Sequence, residues 1–152
     1  MASWMDFGSW SSSWSNSNRW DVSYYSRQIT ETPGILVDES ESSQYTESVL
    51  SSTDDGQNVL RIVSIDGSIN WGSIEMPQYY FARLLMIPST SGQLTLEEMC
   101  PDGEIEYYDL GYVSANHQYR LWKYADSEGS HLFRYRIGDG YNYSDTIRIY
   151  VD

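Results

Sequence analysis

Between Gln118 and Asp152, apolar or aromatic side chains alternate with charged ones at a period of two. One run is Tyr119-Arg120-Leu121-Trp122-Lys123-Tyr124, a second is His131-Leu132-Phe133-Arg134-Tyr135-Arg136-Ile137, and a third is Thr146-Ile147-Arg148-Ile149-Tyr150-Val151. Successive side chains of a strand point to opposite faces, so this alternation predicts half-buried antiparallel strands. Turn-forming residues separate the runs: Asp126-Ser127-Glu128-Gly129 before the second, Gly138-Asp139-Gly140 after it.

The same pattern extends upstream. Strands are expected over residues 35–37, 45–51, 59–65, 79–87, 93–97, 104–108, 119–124, 131–137 and 146–151. Asp54-Asp55-Gly56, Asp66-Gly67, the Pro88–Gly92 segment and Pro101-Asp102-Gly103 supply the turns. Residues 96–100 also fit a single helical turn. Many short strands with no amphipathic helix predict an all-β chain: one antiparallel β-sandwich, immunoglobulin-like or jelly-roll-like. A chain of 152 residues is long enough for one such core.

Facing follows from the alternation. Phe133, Tyr135, Ile137, Ile147, Ile149 and Val151 share one side, the expected core. Arg134, Arg136 and Arg148 share the other with Tyr150, which predicts a basic face for partner contact. Each Arg stem can instead lie across a Tyr and pair with a neighbouring acid. Residues 1–115 hold 17 acidic and 4 basic side chains, whereas residues 116–152 hold 5 of each. That asymmetry suits a head-to-tail contact between copies.

Residues 1–28 form a Ser/Trp-rich N-terminal arm, distinct from the sandwich domain of residues 29–152. Ser and Asn alone would read as a linker. Trp4, Trp10, Trp14 and Trp20 argue for a docked segment, because their even spacing puts all four on one face of an extended chain. The expected role is an assembly arm, added as a strand to a sheet edge or capping its own domain.

The net charge of −13 argues against electrostatic binding of nucleic acid or anionic membranes. No apolar run approaches the roughly 18 residues of a membrane span. Residues 1–6 lack the basic and apolar regions of a secretory signal. Cys100, the one cysteine, excludes an internal disulfide and is expected to be a half-buried thiol. Asn142-Tyr143-Ser144 is a glycosylation sequon, a weak pointer to the cell exterior.

Chemistry is harder to read. His117 and His131 stand in no hydrolase-like context, so structural roles are expected for both. Among the adjacent carboxylates, Asp38/Glu39, Asp54/Asp55 and Glu97/Glu98, solvated surface positions are expected. The acidic loops at Asp54 and Asp55, Asp102 and Glu104, and Asp126 are candidate cation sites. Calcium is the ion they suit, although none completes an EF-hand spacing. Trp71, Tyr79 and Tyr107, with Tyr80, Tyr108 and Trp122, are candidates for stacking on a glycan; Trp122 also reads as the buried Trp of a sandwich. A glycosidase would need two carboxylates held across a cleft.

Leu121-Trp122-Lys123-Tyr124-Ala125-Asp126, Gly129-Ser130-His131, Phe133-Arg134-Tyr135 and Ser144-Asp145-Thr146-Ile147-Arg148-Ile149-Tyr150-Val151 resemble a module of exported proteins of methanogenic archaea. The resemblance covers about 40 of the 152 residues. Asp145 stands where that module usually has Asn, and Ser127-Glu128 where it has Thr-Pro. The resemblance implies an immunoglobulin-like extracellular module of a cell-surface or sheath-type protein, and no catalytic residue. The expectation is therefore a non-enzymatic, extracellular, self-associating structural subunit. The alternative is a carbohydrate-binding module.

Overall fold

The computed structural model describes residues 25–40, 57–64 and 70–152. Trp4, Trp10, Trp14 and Trp20, the strand expected over 45–51, and Asp54 and Asp55 lie outside these residues. Among the described residues there are eleven strands: β1 (Tyr25–Ser26), β2 (Val37–Asp38), β3 (Val59–Val63), β4 (Asn70–Trp71), β5 (Ser73–Met76), β6 (Phe81–Ile87), β7 (Gly92–Met99), β8 (Ile105–Val113), β9 (Tyr119–Tyr124), β10 (Gly129–Ile137) and β11 (Ile147–Val151). The described residues contain no helix.

The strands form two sheets packed face to face. Sheet A runs β2-β9-β6-β3-β4, with β1 also on β6; sheet B runs β5-β11-β10-β7-β8. Every pairing is antiparallel except that of β11 with β5. The all-β sandwich predicted from the alternation is thus the observed architecture. Sheet A begins at Tyr25, inside the segment assigned to the arm; Tyr25 meets Tyr80 edge to face at 5.4 Å.

Alternation decides what fills the space between the sheets. Leu60 and Ile62, then Ala82, Leu84 and Met86, and then Tyr119 and Leu121 project inward from sheet A. Leu94, Leu96, Phe133, Tyr135, Ile147, Ile149 and Val151 meet them from sheet B. Each Leu or Ile buried this way contributes about 1.5–3 kcal/mol. Tyr135 is fully buried, and its hydroxyl donates to the Val59 carbonyl at 2.8 Å, which ties β10 to β3 across the core.

Several expectations need correction. Residues 96–100 are not a helical turn: β7 continues through Met99 into a tight turn at Pro101-Asp102-Gly103 and returns as β8. The strand expected over 79–87 starts at Phe81, because Tyr79 adopts a left-handed φ of 74°. β5 was not anticipated: four residues without a β-branched run give little signal. Trp122 is buried, but not between the sheets. Its neighbour Leu121 takes the inward position, so Trp122 faces the outside of sheet A and donates its Nε1–H to Glu31 at 2.9 Å. That outer face holds a second buried layer, with Arg83 opposite Trp122 in register and Glu39 bridging Arg83 and Arg120.

Candidate functional site

Glu97 and Glu98 show how one strand prepares two different environments. Period-two geometry sends them to opposite faces of sheet B, and both are buried, at 3% and 4% exposure. The expected solvated carboxylate pair is therefore wrong at this position. Glu97 faces outward between Arg134 (3.2 Å) and Arg136 (3.4 Å) on the neighbouring β10. The Arg134 guanidinium lies 3.6 Å from the centre of the Tyr143 ring.

This geometry corrects the expected basic face. Arg134, Arg136 and Arg148 do share one side of sheet B, but Arg134 is buried and it shares the single carboxylate of Glu97 with Arg136. Arg136 also donates to the Gly138 carbonyl at 2.5 Å. Only Arg148 has no acidic partner among the described residues. Its Nε and the Ser73 Oγ, on register-paired residues of β11 and β5, are buried without hydrogen-bond partners there.

Glu98 faces inward, where Leu94 and Leu96 occupy the earlier positions of the same phase. It meets His131 from β10, Lys123 from β9, and Tyr108 and Glu106 from β8. The His131 Nδ1 donates to Glu98 Oε2 at 2.7 Å, and its Nε2 faces the Ser127 carbonyl at 2.8 Å. With an acceptor at each ring nitrogen, the imidazole is held as the doubly protonated cation. Burial opposes that charge, but the Glu98 and Ser127 contacts outweigh it, so the His131 pKa is raised. Burial likewise opposes ionisation of Glu98, and the His131 hydrogen bond, the Lys123 charge and the Tyr108 hydroxyl together hold its pKa below the ordinary value. The Lys123 ammonium lies 3.2 Å from Glu98 Oε1. The Tyr108 hydroxyl sits 2.9 Å from Glu98 and 2.5 Å from Glu106.

These residues floor a cleft of about 350 Å³ on the open side of the sandwich, where edge strand β8 faces β9. Its rim is acidic: Asp102 from the β7–β8 turn, with Asp126 and Glu128 from the β9–β10 turn. Gly129 sets the approach of that second turn. It has φ +114°, and a Cβ there would meet Pro101 at 2.7 Å. Two of the predicted cation-site residues, Asp102 and Asp126, thus come to one cleft, while Glu104 lies exposed in the adjacent turn outside its lining. The predicted glycan-stacking residues do not converge. Tyr107 is on the outer face of sheet B, Tyr79 is in the β5–β6 turn beside Tyr124, and Trp71 lies in edge strand β4 of sheet A. His117 pairs with Asp38 at 2.8 Å on the surface; the Ser40 and His117 hydrogen bonds lower the Asp38 pKa to about 2.

The cleft's own chemistry is quiet. Burial, followed by the Glu98, Glu106 and Asp102 charges, pushes the Cys100 thiol up to about 11. Burial and the hydrogen bond to Glu106 raise the Tyr108 phenol. Both therefore keep their protons at neutral pH, and neither is an activated nucleophile. Donor atoms of Glu98, Cys100 and Glu106 lie within 4.8 Å of one another and could hold a metal ion. The protonated thiol and the adjacent Lys123 ammonium oppose one.

The donor balance is one-sided. His131 uses both its N–H groups and Tyr108 its single proton on the cleft's own acceptors, and Lys123 is drawn to Glu98 and Tyr108. Five carboxylates face two cations, and the Asp126 and Glu128 side chains have no partner among the described residues. Sequence reading missed Glu98, Glu106, Lys123 and His131 as a group. Their signal was the charged residues placed in the inward phase of β7, β9 and β10. No protein-family model, curated protein or solved structure matches this chain.

Proposed function

We propose that this chain is a non-enzymatic, extracellular structural protein: a self-associating β-sandwich subunit of a cell-surface or filament-type assembly. Its acidic cleft receives a donor-rich surface of a neighbouring copy. The observation that carries this reading is the cleft's inventory, in which the donors are already engaged while the Asp126 and Glu128 carboxylates have no partner among the described residues. A group that supplies N–H or O–H donors and positive charge is the complement of such a site. The protonated Cys100 and Tyr108 favour binding over nucleophilic chemistry.

Neutralising three of the cleft's carboxylates tests this. The Glu106→Gln, Asp126→Asn, Glu128→Gln triple variant is expected to keep its fold by circular dichroism and to raise the self-association constant for dissociation about tenfold or more. An unchanged constant by sedimentation would remove the cleft from the contact. The second reading, a carbohydrate-binding module, draws on the same cleft. Its volume of about 350 Å³ accommodates a sugar ring, whose hydroxyls are also donors.

A further inference from the structure

The β8 strand borders the cleft and is an edge of sheet B. Nine residues long, it has no described strand on its outer side. The other terminal strands are poorer templates: β2 and β4 have two residues each, and β5 has four that are mostly buried. The hydrogen-bond phase shows which backbone groups are open. The Cys100 N–H donates to the Glu104 carbonyl, and bonded and non-bonded pairs alternate along an antiparallel ladder. Glu106 and Tyr108 therefore turn their backbone groups toward β7, while Ile105, Tyr107 and Asp109 turn theirs outward. Natural edges are blunted by brevity, Lys, Pro or bulges. This one has Asp109 and a single bulge, but no Lys or Pro.

The two faces of β8 differ. Tyr107 and Tyr112 stand on the outer face at 62% and 71% exposure, whereas Glu106 and Tyr108 face the cleft. Residues 1–24 have the matching pattern in their sequence. In an extended chain, Trp4, Trp10, Trp14 and Trp20 fall on one face with Asp6; Ser9, Ser11, Ser13, Ser15, Ser17 and Arg19, the only cation in the segment, fall on the other with Phe7 and Asp21.

We propose that residues 1–24 of a second copy add to sheet B as a strand along β8. The Trp face lies beside Tyr107 and Tyr112, and the Ser/Arg19 face closes over the acidic cleft. Cross-strand aromatic pairs and backbone hydrogen bonds supply the affinity, and the hydroxyls and guanidinium supply the donors that the cleft lacks. A donor on one copy and an acceptor on the next make a heterologous contact, which propagates into chains unless it closes into a ring. This inference rests on the self-association reading and assigns its two partners.

The test uses two full-length variants. Tyr107→Pro removes an outward N–H and leaves the β7 ladder intact; the Trp4→Ser, Trp10→Ser, Trp14→Ser, Trp20→Ser variant disables the donor. Each alone is expected to raise the dissociation constant about 100-fold or more, and mixing them is expected to restore one working junction, giving a one-to-one pair. If thermal unfolding shows Tyr107→Pro to be misfolded, Tyr107→Lys with Tyr112→Lys replaces it. Self-association of the β8 variant at the level of the unaltered chain would overturn the β8 assignment while leaving self-association standing. Failure of the mixture to pair would overturn it as well. A single chain at every concentration for the unaltered protein would defeat both the assignment and the reading beneath it.

Discussion

Glu97→Leu is expected to lower the free energy of unfolding by about 3–5 kcal/mol, the usual cost of removing one partner from a buried ion pair. Glu97 is the acid shared by Arg134 and Arg136, and Arg134 is itself buried. A guanidinium cannot shed its proton to escape burial. Substituting Arg134→Met in the same chain is expected to recover much of the loss, because the buried charge that Glu97 balanced goes with it. Urea unfolding of the single and double variants measures both. A loss within about 1 kcal/mol for Glu97→Leu would mean that the pair behaves like a surface ion pair. The basic face would then be available to partners after all.

Glu98→Leu is expected to cost less, about 2–3 kcal/mol, in the range of lost charge-assisted hydrogen bonds. His131, unlike Arg134, can neutralise itself once its carboxylate is gone. That difference predicts a pH signature. The folded-state pKa of His131 is raised above 6.5, so its contribution is fully present below that value and is lost as pH rises through the raised one. Glu98 is lowered from 4.5, so its contribution is present above that value and is lost as pH falls through the lowered one. The unaltered protein should therefore lose the pair's stabilisation at both ends, and Glu98→Leu should flatten both flanks. Unfolding curves of the two proteins across pH check this. Parallel profiles would show that the pair is not the source.

The legible parts of the sequence were those in which one physical signal dominated. The β10–β11 hairpin reads directly from Phe133, Tyr135, Ile147 and Ile149, because a single alternation carries both the pairing and the facing. The length of β8 was cut short at Tyr108, because a bulge opposite Leu94 and Thr95 breaks the phase at Asp109-Leu110-Gly111. Glu97 and Glu98 were placed on the surface because adjacent carboxylates usually lie there. Their burial depends on cations from β9 and β10, and no local pattern encodes that meeting. Trp122 follows the same logic in reverse: its burial was anticipated, but Leu121 holds the inward phase, so the Trp packs on the outside of sheet A. The Arg stripe lies on one face as the alternation predicts, and the one acid that Arg134 and Arg136 share comes from β7, a strand distant in sequence. Periodicity thus reports which face a residue takes; the opposing strands decide what that face meets.

The most direct measurement is the solution mass of the full chain by sedimentation velocity, over a range of concentrations at low and high salt. The account predicts a mass above the 17.6 kDa of one chain, rising with concentration. A constant 17.6 kDa under every condition would contradict it.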